Sequence, residues 1–233
     1  ALNAYEKAIS IQPNFAEAYF NMGNVLQDQG KLKKAIGSFE KAVSINPNYA
    51  EAFNNMGVAL QDQGKLEEAI DAYRKALSIK PDFSKAYNNL GVTLKNQNKL
   101  EEAVDAYEKA LKIQPTNPEL LNNYSNLLID MGEPNEAVKL LSDLIEANPN
   151  YSDAVHNLQR AKYMLQNGVK QGQLQESVPS QSSAANISSP IGEINLLDSL
   201  SPRYSESKSS NKDANKNKAK KDILISNLFS SIN

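Results

Sequence analysis

Five prolines recur at one constant interval in this sequence: Pro13, Pro47, Pro81, Pro115 and Pro149. The segments between them align without gaps, so that residues 15–49, 49–83 and 83–117 are copies of one unit. A fixed period of about 34 residues is typical of stacked supersecondary units, each of which buries its apolar surface against its neighbours. The sequence therefore predicts a repeat array rather than a single globular core.

Each unit contains two stripes of apolar residues with helical spacing. In the third copy the first stripe is Tyr87, Leu90, Gly91 and Leu94, at positions i, i+3, i+4 and i+7. The second stripe is Ala103, Val104, Tyr107, Ala110 and Leu111. Asn98 stands between them, where other copies have Gly30, Gly64 and Gly132. A helix that ends in a left-handed residue takes glycine first and asparagine next, so each unit is predicted to be a helical hairpin.

The start of each first helix carries a spacing typical of capping boxes. The pairs are Asn14 with Glu17, Asn48 with Glu51, and Thr116 with Glu119. In the third copy Asp82 is followed by Lys85, so the reciprocal half of the box is lost there. We expect the first residue of each pair to cap its helix.

The order of these residues resembles the tetratricopeptide repeat. The first full copy carries it in Tyr19, Met22, Gly23, Leu26, Ala35, Phe39, Ala42 and Pro47. The second carries it in Phe53, Met56, Gly57, Leu60, Ala69, Tyr73, Ala76 and Pro81, and the third in Tyr87, Leu90, Gly91, Leu94, Ala103, Tyr107, Ala110 and Pro115. The resemblance covers residues 1–167. It implies an all-α fold, a right-handed α-solenoid of antiparallel helical hairpins.

The resemblance divides the chain into consecutive segments. Residues 1–15 match only the second helix of a unit, and four units follow at 16–49, 50–83, 84–117 and 118–151. The fourth unit has Ser125 at the glycine position, Leu141 at the aromatic one and Leu144 at a small one. Pro134 enters it at the first turn of the second helix, where proline is tolerated. Residues 1–15 lack the first helix with which they would form a hairpin. We therefore expect self-association through the N-terminal edge.

Residues 152–167 are predicted to form a capping helix with a polar outer face. Its inward residues are expected to be Val155, Leu158, Ala161 and Leu165. Its outward residues are expected to be Asn157, Gln159, Arg160, Lys162 and Gln166.

Residues 168–233 are rich in Ser, Asn, Gln and Lys and are predicted to be a disordered, low-complexity tail. A short amphipathic segment at 222–233 follows the basic run 216–221, with its stripe formed by Ile225, Leu228, Phe229 and Ile232. A basic run before an amphipathic helix suits a partner's groove or a membrane surface, although a helix of about ten residues is marginal alone.

Composition argues against several classes of function. The formal net charge of the 233 residues is −2, so no global basic field points to nucleic acid. No apolar run approaches the roughly 20 residues of a membrane span, so membrane insertion is not expected. The chain has one histidine and no cysteine, and we expect no catalytic residues, no metal and no cofactor. A cytoplasmic protein that is not an enzyme is the resulting expectation.

Two pairs of adjacent carboxylates do not indicate a catalytic site either. Glu67 and Glu68, like Glu101 and Glu102, fall at the start of second helices, where negative charge favours the helix dipole. The single histidine, His156, is expected to face solvent.

The informative polar feature is a series of asparagines with the same spacing as the prolines: Asn21, Asn55, Asn89 and Asn123. Asparagine is a mediocre helix former, so its recurrence calls for a reason. First helices line the concave face in tetratricopeptide arrays, and amides there could hold a peptide backbone through donors and acceptors. Repeat duplication with local hydrogen bonds is the alternative. The candidate groove residues are Asn21, Asn24, Asn54, Asn55, Lys85, Asn88, Asn89, Asn122, Asn123 and Asn126.

The asparagine series looks similar to that of the O-linked N-acetylglucosamine transferase arrays. The resemblance implies a scaffold that binds an extended peptide or protein segment, or alternatively the substrate-recognition arm of a larger glycosyltransferase-like enzyme. Arrays that clamp a C-terminal carboxylate match only in part. Asn24, Asn55 and Lys85 fit their pattern, whereas Phe20 and Asn89 stand where that pattern has Lys and Arg. Glu17, Glu51 and Glu119 favour basic segments as ligands, and residues 216–221 of the chain are such a segment.

Overall fold

A computed structural model of the chain describes residues 1–168. They form ten α-helices and no strand. The helices are α1 (Leu2–Ile11), α2 (Ala16–Asp28), α3 (Leu32–Ile45), α4 (Ala50–Asp62), α5 (Leu66–Ile79), α6 (Ser84–Asn96), α7 (Leu100–Ile113), α8 (Pro118–Asp130), α9 (Pro134–Ala147) and α10 (Ser152–Asn167). The predicted tail and its segment 222–233 lie outside the described residues.

The helices pack as consecutive hairpins. The two helices of each hairpin pack closely, in the pairs α2–α3, α4–α5, α6–α7 and α8–α9, and each second helix also packs against the next first helix. Helix α1 packs on α2, and α10 packs on α9 and α8. The prediction of an all-α solenoid of helical hairpins is confirmed.

The turn inside each hairpin uses a left-handed residue, as predicted. Gly30, Gly64 and Gly132 have φ of 69°, 77° and 78°. Asn98 has φ of 59° and is the one non-glycine residue with positive φ in the part of the chain that the structure describes. Asparagine tolerates this conformation better than most residues, which explains its place in the glycine series.

The capping boxes were predicted wrongly. Helices α2, α4 and α6 have Phe15, Tyr49 and Phe83 at their N-caps, with no side-chain cap hydrogen bond. The turn after the proline explains the shift, because the Tyr49 backbone N–H donates to the Asn46 backbone oxygen at 3.2 Å. The helix therefore begins one residue later than the box requires.

The start of α8 differs from the other three. Asn117 caps it by accepting a hydrogen bond of 3.2 Å from the Leu120 backbone N–H. Proline occupies the first position of α8 and also of α9, where Pro134 was predicted to be tolerated.

The glycine of each first helix lies against the aromatic ring of its second helix. A Cβ added to Gly57 would stand 2.6 Å from Tyr73 Cε1, and one added to Gly23 would stand 2.6 Å from Phe39 Cε1. A residue with a Cβ therefore does not fit in the first helix where the second helix carries the ring. In the fourth unit Ser125 and Leu141 occupy these positions, and both are fully buried. The replacement of the ring by Leu is what leaves room for the serine side chain.

Helix α10 buries a face different from the predicted one. Ala154, Asn157, Ala161 and Met164 are buried, whereas Leu165 is 41% exposed. The helix packs on both α9 and α8, which turns its buried face toward α8. Asn157 therefore points inward, contrary to the prediction, whereas Gln159, Lys162 and Gln166 are exposed as expected.

Candidate peptide-binding groove

The first helices of the hairpins form the inner face of the array. Successive first helices contact one another, α2 with α4, α4 with α6, α6 with α8 and α8 with α10. Among the described residues no two successive second helices make comparable contact. Because the first helices lie closer together, the array curves toward them, and they line its concave groove.

The predicted asparagines form hydrogen bonds from one repeat to the next along this face. Asn89 Nδ2 donates to Asn54 Oδ1 at 3.0 Å, and Asn123 Nδ2 donates to Asn88 Oδ1 at 3.0 Å. The accepting residues are buried, with Asn54 only 1% and Asn88 only 4% exposed. We call this series of side chains the amide row. It satisfies polar groups that would otherwise be costly to bury.

Sequence reasoning missed the last member of the amide row. Asn157 Nδ2 donates to Asn122 Oδ1 at 2.9 Å, in the same way as the earlier pairs. Asn157 stands one full repeat after Asn123, so the repeat period carried the signal. Asn157 was instead predicted to lie on the solvated outer face of α10, which is why it was missed.

The amide row begins differently because Phe20 takes the place that Asn54 has in the next repeat. With no amide available there, Asn55 Nδ2 donates instead to Asn24 Oδ1 at 2.8 Å. Asn55 Oδ1 also accepts from Asn54 Nδ2 at 3.0 Å. The two asparagines that matched a carboxylate clamp thus bind each other, and Lys85 lies exposed on another helix.

Two partly buried members of the amide row keep free acceptors. The side-chain oxygens of Asn89 and Asn123 accept no hydrogen bond from any described residue, and each Nδ2 has used one of its two protons. Both residues are only partly buried. The structure therefore orients these amides through their donors and leaves their oxygens for another group.

The remaining candidate residues are distributed around the amide row. Asn88 Nδ2 donates to Glu119 Oε1 at 2.9 Å, and Asn126 Oδ1 accepts from Arg160 at 2.8 Å. Asn21 is partly buried and makes no side-chain hydrogen bond with the described residues. Most hydrogen-bonding groups of the predicted asparagines thus serve the array itself.

A second group of polar contacts joins the C-terminal ends of the first helices. Gln61 Oε1 accepts from Thr93 Oγ1 at 2.5 Å and from the Tyr73 hydroxyl at 3.2 Å. Further along, Asp130 binds Lys95 at 2.8 Å and also binds Arg160. The contacts from Gln61 to Thr93 and from Asp130 to its two cations join neighbouring repeats, so they stabilise this edge of the groove floor from α4 to α10.

Two ionisable groups near the groove have perturbed pKa values with structural causes. The pKa of Glu51 is lowered, first by the hydrogen bond from its own backbone N–H and then by Lys80, whose Nζ is 3.1 Å away. Burial raises the pKa of Tyr73 well above its ordinary value. Neither arrangement places a proton donor or acceptor in an open cleft, so both are structural.

Two other kinds of feature, a metal-binding cluster and a membrane-spanning helix, are not found among the described residues. His156 is exposed, and no group of three or more histidine or carboxylate side chains among residues 1–168 could hold a metal ion. Within the same range no helix has both the length and the apolar character needed to cross a bilayer. Glu67 and Glu101 lie in the first turns of α5 and α7, as expected.

Comparison with known families gives three matches. Models described as tetratricopeptide repeat match residues 14–82, 54–118 and 94–162, which together cover more than half of the chain. No curated protein matches the sequence. The family comparisons do not single out the arrays of the O-linked N-acetylglucosamine transferases.

Several solved structures share the fold. YrrB, described as a TPR protein with an unusual peptide-binding site, is 23% identical, with 72% of this chain and 86% of that chain covered and a TM-score of 0.61. PilF of Pseudomonas aeruginosa is 24% identical, with coverages of 65% and 69% and a TM-score of 0.60. MamA from Desulfovibrio magneticus is 19% identical, with coverages of 64% and 85% and a TM-score of 0.59. At these identities the likeness concerns the fold alone.

Proposed function

Since this chain belongs to the tetratricopeptide repeat family, we propose that it is a scaffold that binds an extended peptide or protein segment in its concave groove. The proteins of this family generally mediate protein–protein contacts, and YrrB is described as having a peptide-binding site. The groove of this chain offers polar groups suited to a main chain rather than a catalytic arrangement. The proposed role is to recruit a partner without making or breaking bonds.

The observation that carries this proposal is the free acceptor on Asn89 and Asn123. Each amide is fixed by the hydrogen bond that it donates to the preceding repeat, so it loses little conformational freedom when a ligand binds. Its oxygen can accept a hydrogen bond from a peptide N–H, and its second proton can be donated to a peptide C=O. Both residues sit at the same place in successive repeats, which suits an extended ligand.

A pull-down from source lysate tests this proposal. The full chain is compared with an Asn89→Ala/Asn123→Ala variant and with Asn135→Ala, an exposed amide on the second helix α9. Circular dichroism checks that all three have the same helicity. We expect partners retained by the wild type and by Asn135→Ala to be lost from the double variant. Equal retention by all three would show that the amide row is purely structural.

The alternative, a substrate-recognition arm of a larger glycosyltransferase-like enzyme, depends on the same amide row. It differs from a simple scaffold in what lies elsewhere in the full reading frame. A catalytic domain encoded with this array would favour the alternative, and further repeats would favour the scaffold.

Self-association is a further proposal that concerns a different surface. Helix α1 buries none of its residues, and Ile11 is 76% exposed. Sedimentation velocity over a range of protein concentrations tests it. We expect a concentration-dependent increase in sedimentation coefficient, and a monomer at all concentrations would contradict the proposal.

A further inference from the structure

One repeat of the array already contains a lysine bound between a carboxylate and an aromatic ring. Lys80 Nζ lies 3.1 Å from Glu51 Oε1 and 4.9 Å from the centroid of the Phe83 ring. The three residues come from α4, the end of α5 and the N-cap of α6. An ammonium group held by both a negative charge and the face of a ring is a recognised binding geometry.

The repeat before it has the same carboxylate and the same aromatic position but no lysine. Glu17, Asn46 and Tyr49 stand one repeat before Glu51, Lys80 and Phe83, respectively. Asn46 is exposed, and its Oδ1 accepts a hydrogen bond from the Asn48 backbone N–H at 3.1 Å. Glu17 is exposed and has no hydrogen bond or ion pair with the described residues.

The Glu17 carboxylate is close enough to Tyr49 for its charge to act on the Tyr49 hydroxyl. The pKa of Tyr49 is raised first by burial and then by the negative charges of Glu17 and Glu51. Glu51 is partly neutralised by Lys80, whereas Glu17 has no cationic partner among the described residues. The first repeat therefore has an uncompensated carboxylate and an aromatic residue at the positions that Glu51 and Phe83 hold around Lys80 in the next repeat.

Phe20 enlarges that aromatic face toward the amide row. Its ring centroid lies 4.8 Å from that of Tyr49, with an interplanar angle of 38°. Phe20 is partly exposed, although the three later copies have a buried asparagine at its position. The Phe20 ring therefore extends the aromatic surface of Tyr49 onto helix α2, the helix that also carries Glu17.

The charges of the neighbouring helices add to this local arrangement. Helices α2 and α4 contain Glu17, Asp28, Glu51 and Asp62 and no lysine or arginine, whereas α6 contains Lys85 and Lys95 and no carboxylate. Glu51 pairs with Lys80 and Lys95 pairs with Asp130, whereas Glu17 has no cationic partner among the described residues. The uncompensated negative charge at the start of α2 favours a basic group of the ligand.

We infer that Glu17, Tyr49 and Phe20 form a binding site for a lysine or arginine side chain of the segment bound in the groove. The side chain takes the place that Lys80 occupies in the next repeat, with its charge on Glu17 and its apolar stem along the rings. The inference rests on the proposed groove function and adds to it the chemistry of the ligand. The partner is a protein with an exposed, extended basic segment.

A displayed library of random dodecapeptides tests the inference. The library is selected on the full chain, on Asn46→Lys, on Glu17→Gln and on Glu101→Gln, an exposed carboxylate of the second helix α7. Asn46→Lys recreates the residue of the next repeat and should fill the site from within the chain. Glu17→Gln removes the charge at an exposed position, so neither variant is expected to unfold.

We expect lysine and arginine to be enriched in peptides selected on the wild type and on Glu101→Gln, and this enrichment to be lost on Asn46→Lys and Glu17→Gln. A selected peptide whose lysine is replaced by glutamine should bind the wild type about tenfold more weakly by fluorescence anisotropy. The same replacement should have no effect on binding to Asn46→Lys.

Two results would overturn the inference while leaving the groove proposal in place. One is selection of peptides without enrichment of basic residues. The other is equal enrichment on all four proteins, which would put basic recognition elsewhere on the array. Failure of every protein to select any peptide would count against both the inference and the proposed function.

Discussion

The Asn89 side-chain amide donates a hydrogen bond of 3.0 Å to the side-chain oxygen of Asn54 in the preceding repeat. The acceptor is almost completely buried, so this is a polar contact inside the interface between two hairpins. Each repeat of a solenoid is stabilised mainly by its neighbours, and such a contact therefore fixes the orientation of one hairpin on the next. The oxygen of the same amide accepts no hydrogen bond from the described residues, so under the proposed function one side chain would serve both array geometry and ligand binding.

A double-mutant cycle on this pair should show energetic coupling. Asn54→Ala leaves the Asn89 donor without its partner and is expected to lower the free energy of unfolding by about 1 to 3 kcal/mol. The two single changes should not add, and the coupling energy should be about 1 kcal/mol. Urea unfolding of the four proteins measures it. Additive effects would mean that the hydrogen bond contributes nothing to the stability of the interface.

Gly57→Ala should destabilise the array, because the new Cβ would lie 2.6 Å from Tyr73 Cε1. Overpacking of this kind costs about 1 to 3 kcal/mol. Gly37→Ala in α3 is the matched control, since nothing lies within 4 Å of its added Cβ. It should stabilise the protein by about 0.5 to 1 kcal/mol through helix propensity. Thermal unfolding distinguishes the two, and similar shifts would contradict the close approach.

A second control for Gly57→Ala is the same change combined with Tyr73→Leu, which should recover part of the lost stability. This combination imitates the fourth repeat, where Ser125 and Leu141 replace the glycine and the ring. Tyr73→Leu alone should be destabilising, because it removes a fully buried ring. The absence of any compensation in the double variant would show that the two positions are independent.

Tyr124→Phe should leave the array as stable or more stable at neutral pH, by about 1 kcal/mol. The Tyr124 hydroxyl is buried and has no hydrogen-bond partner in the structure, so its removal ends a desolvation cost. Tyr73→Phe is the contrasting variant, because its hydroxyl donates to Gln61. It should lose about 1 kcal/mol. Chemical denaturation at neutral pH gives both values, and a loss in Tyr124→Phe would contradict the reasoning.

Alkaline pH should destabilise the wild type more than Tyr124→Phe. Burial raises the pKa of Tyr124 well above the ordinary value of 10.0, so the folded state keeps the hydroxyl neutral while the unfolded chain ionises. The contribution to stability is therefore complete below about pH 10 and is lost as the pH rises beyond it. Unfolding free energies measured between about pH 8 and pH 11 should fall less steeply for the variant. Parallel curves would show that Tyr124 is not protected from ionisation.

Asp130→Asn should weaken the C-terminal part of the groove. Its carboxylate binds both Lys95 and Arg160, and all three side chains are largely shielded, at 21% to 28% exposed. Removing the negative charge leaves two cations close together, so we expect a loss of about 1 to 2 kcal/mol that depends on salt. Glu68→Gln is the control, because its pair with Lys65 is an exposed one. Equal effects of the two changes on urea unfolding would contradict a special role for Asp130.

The sequence alone determined the repeat unit and the hairpin. The constant repeat period, the alternation of helical stripes and the shared need of Gly30 and Asn98 for a left-handed backbone are local properties, readable from residue types and spacing. The sequence also showed that the glycine and the aromatic residue are both replaced in the fourth copy, whereas the contact between them appears only in the structure.

The tertiary structure decided how the asparagines are used and which face α10 buries. An asparagine that recurs in each repeat can form hydrogen bonds with a ligand or with the neighbouring repeat. Only the distance between Asn89 and Asn54 shows that it bonds to the neighbouring repeat. Asn157 points inward because α8 lies beside α10, a contact that no pattern within that helix encodes. The start of each first helix, likewise, followed the turn geometry at Asn46 rather than the capping spacing. In each case the outcome depends on groups far apart in sequence or on the path of the backbone, which spacing alone does not specify.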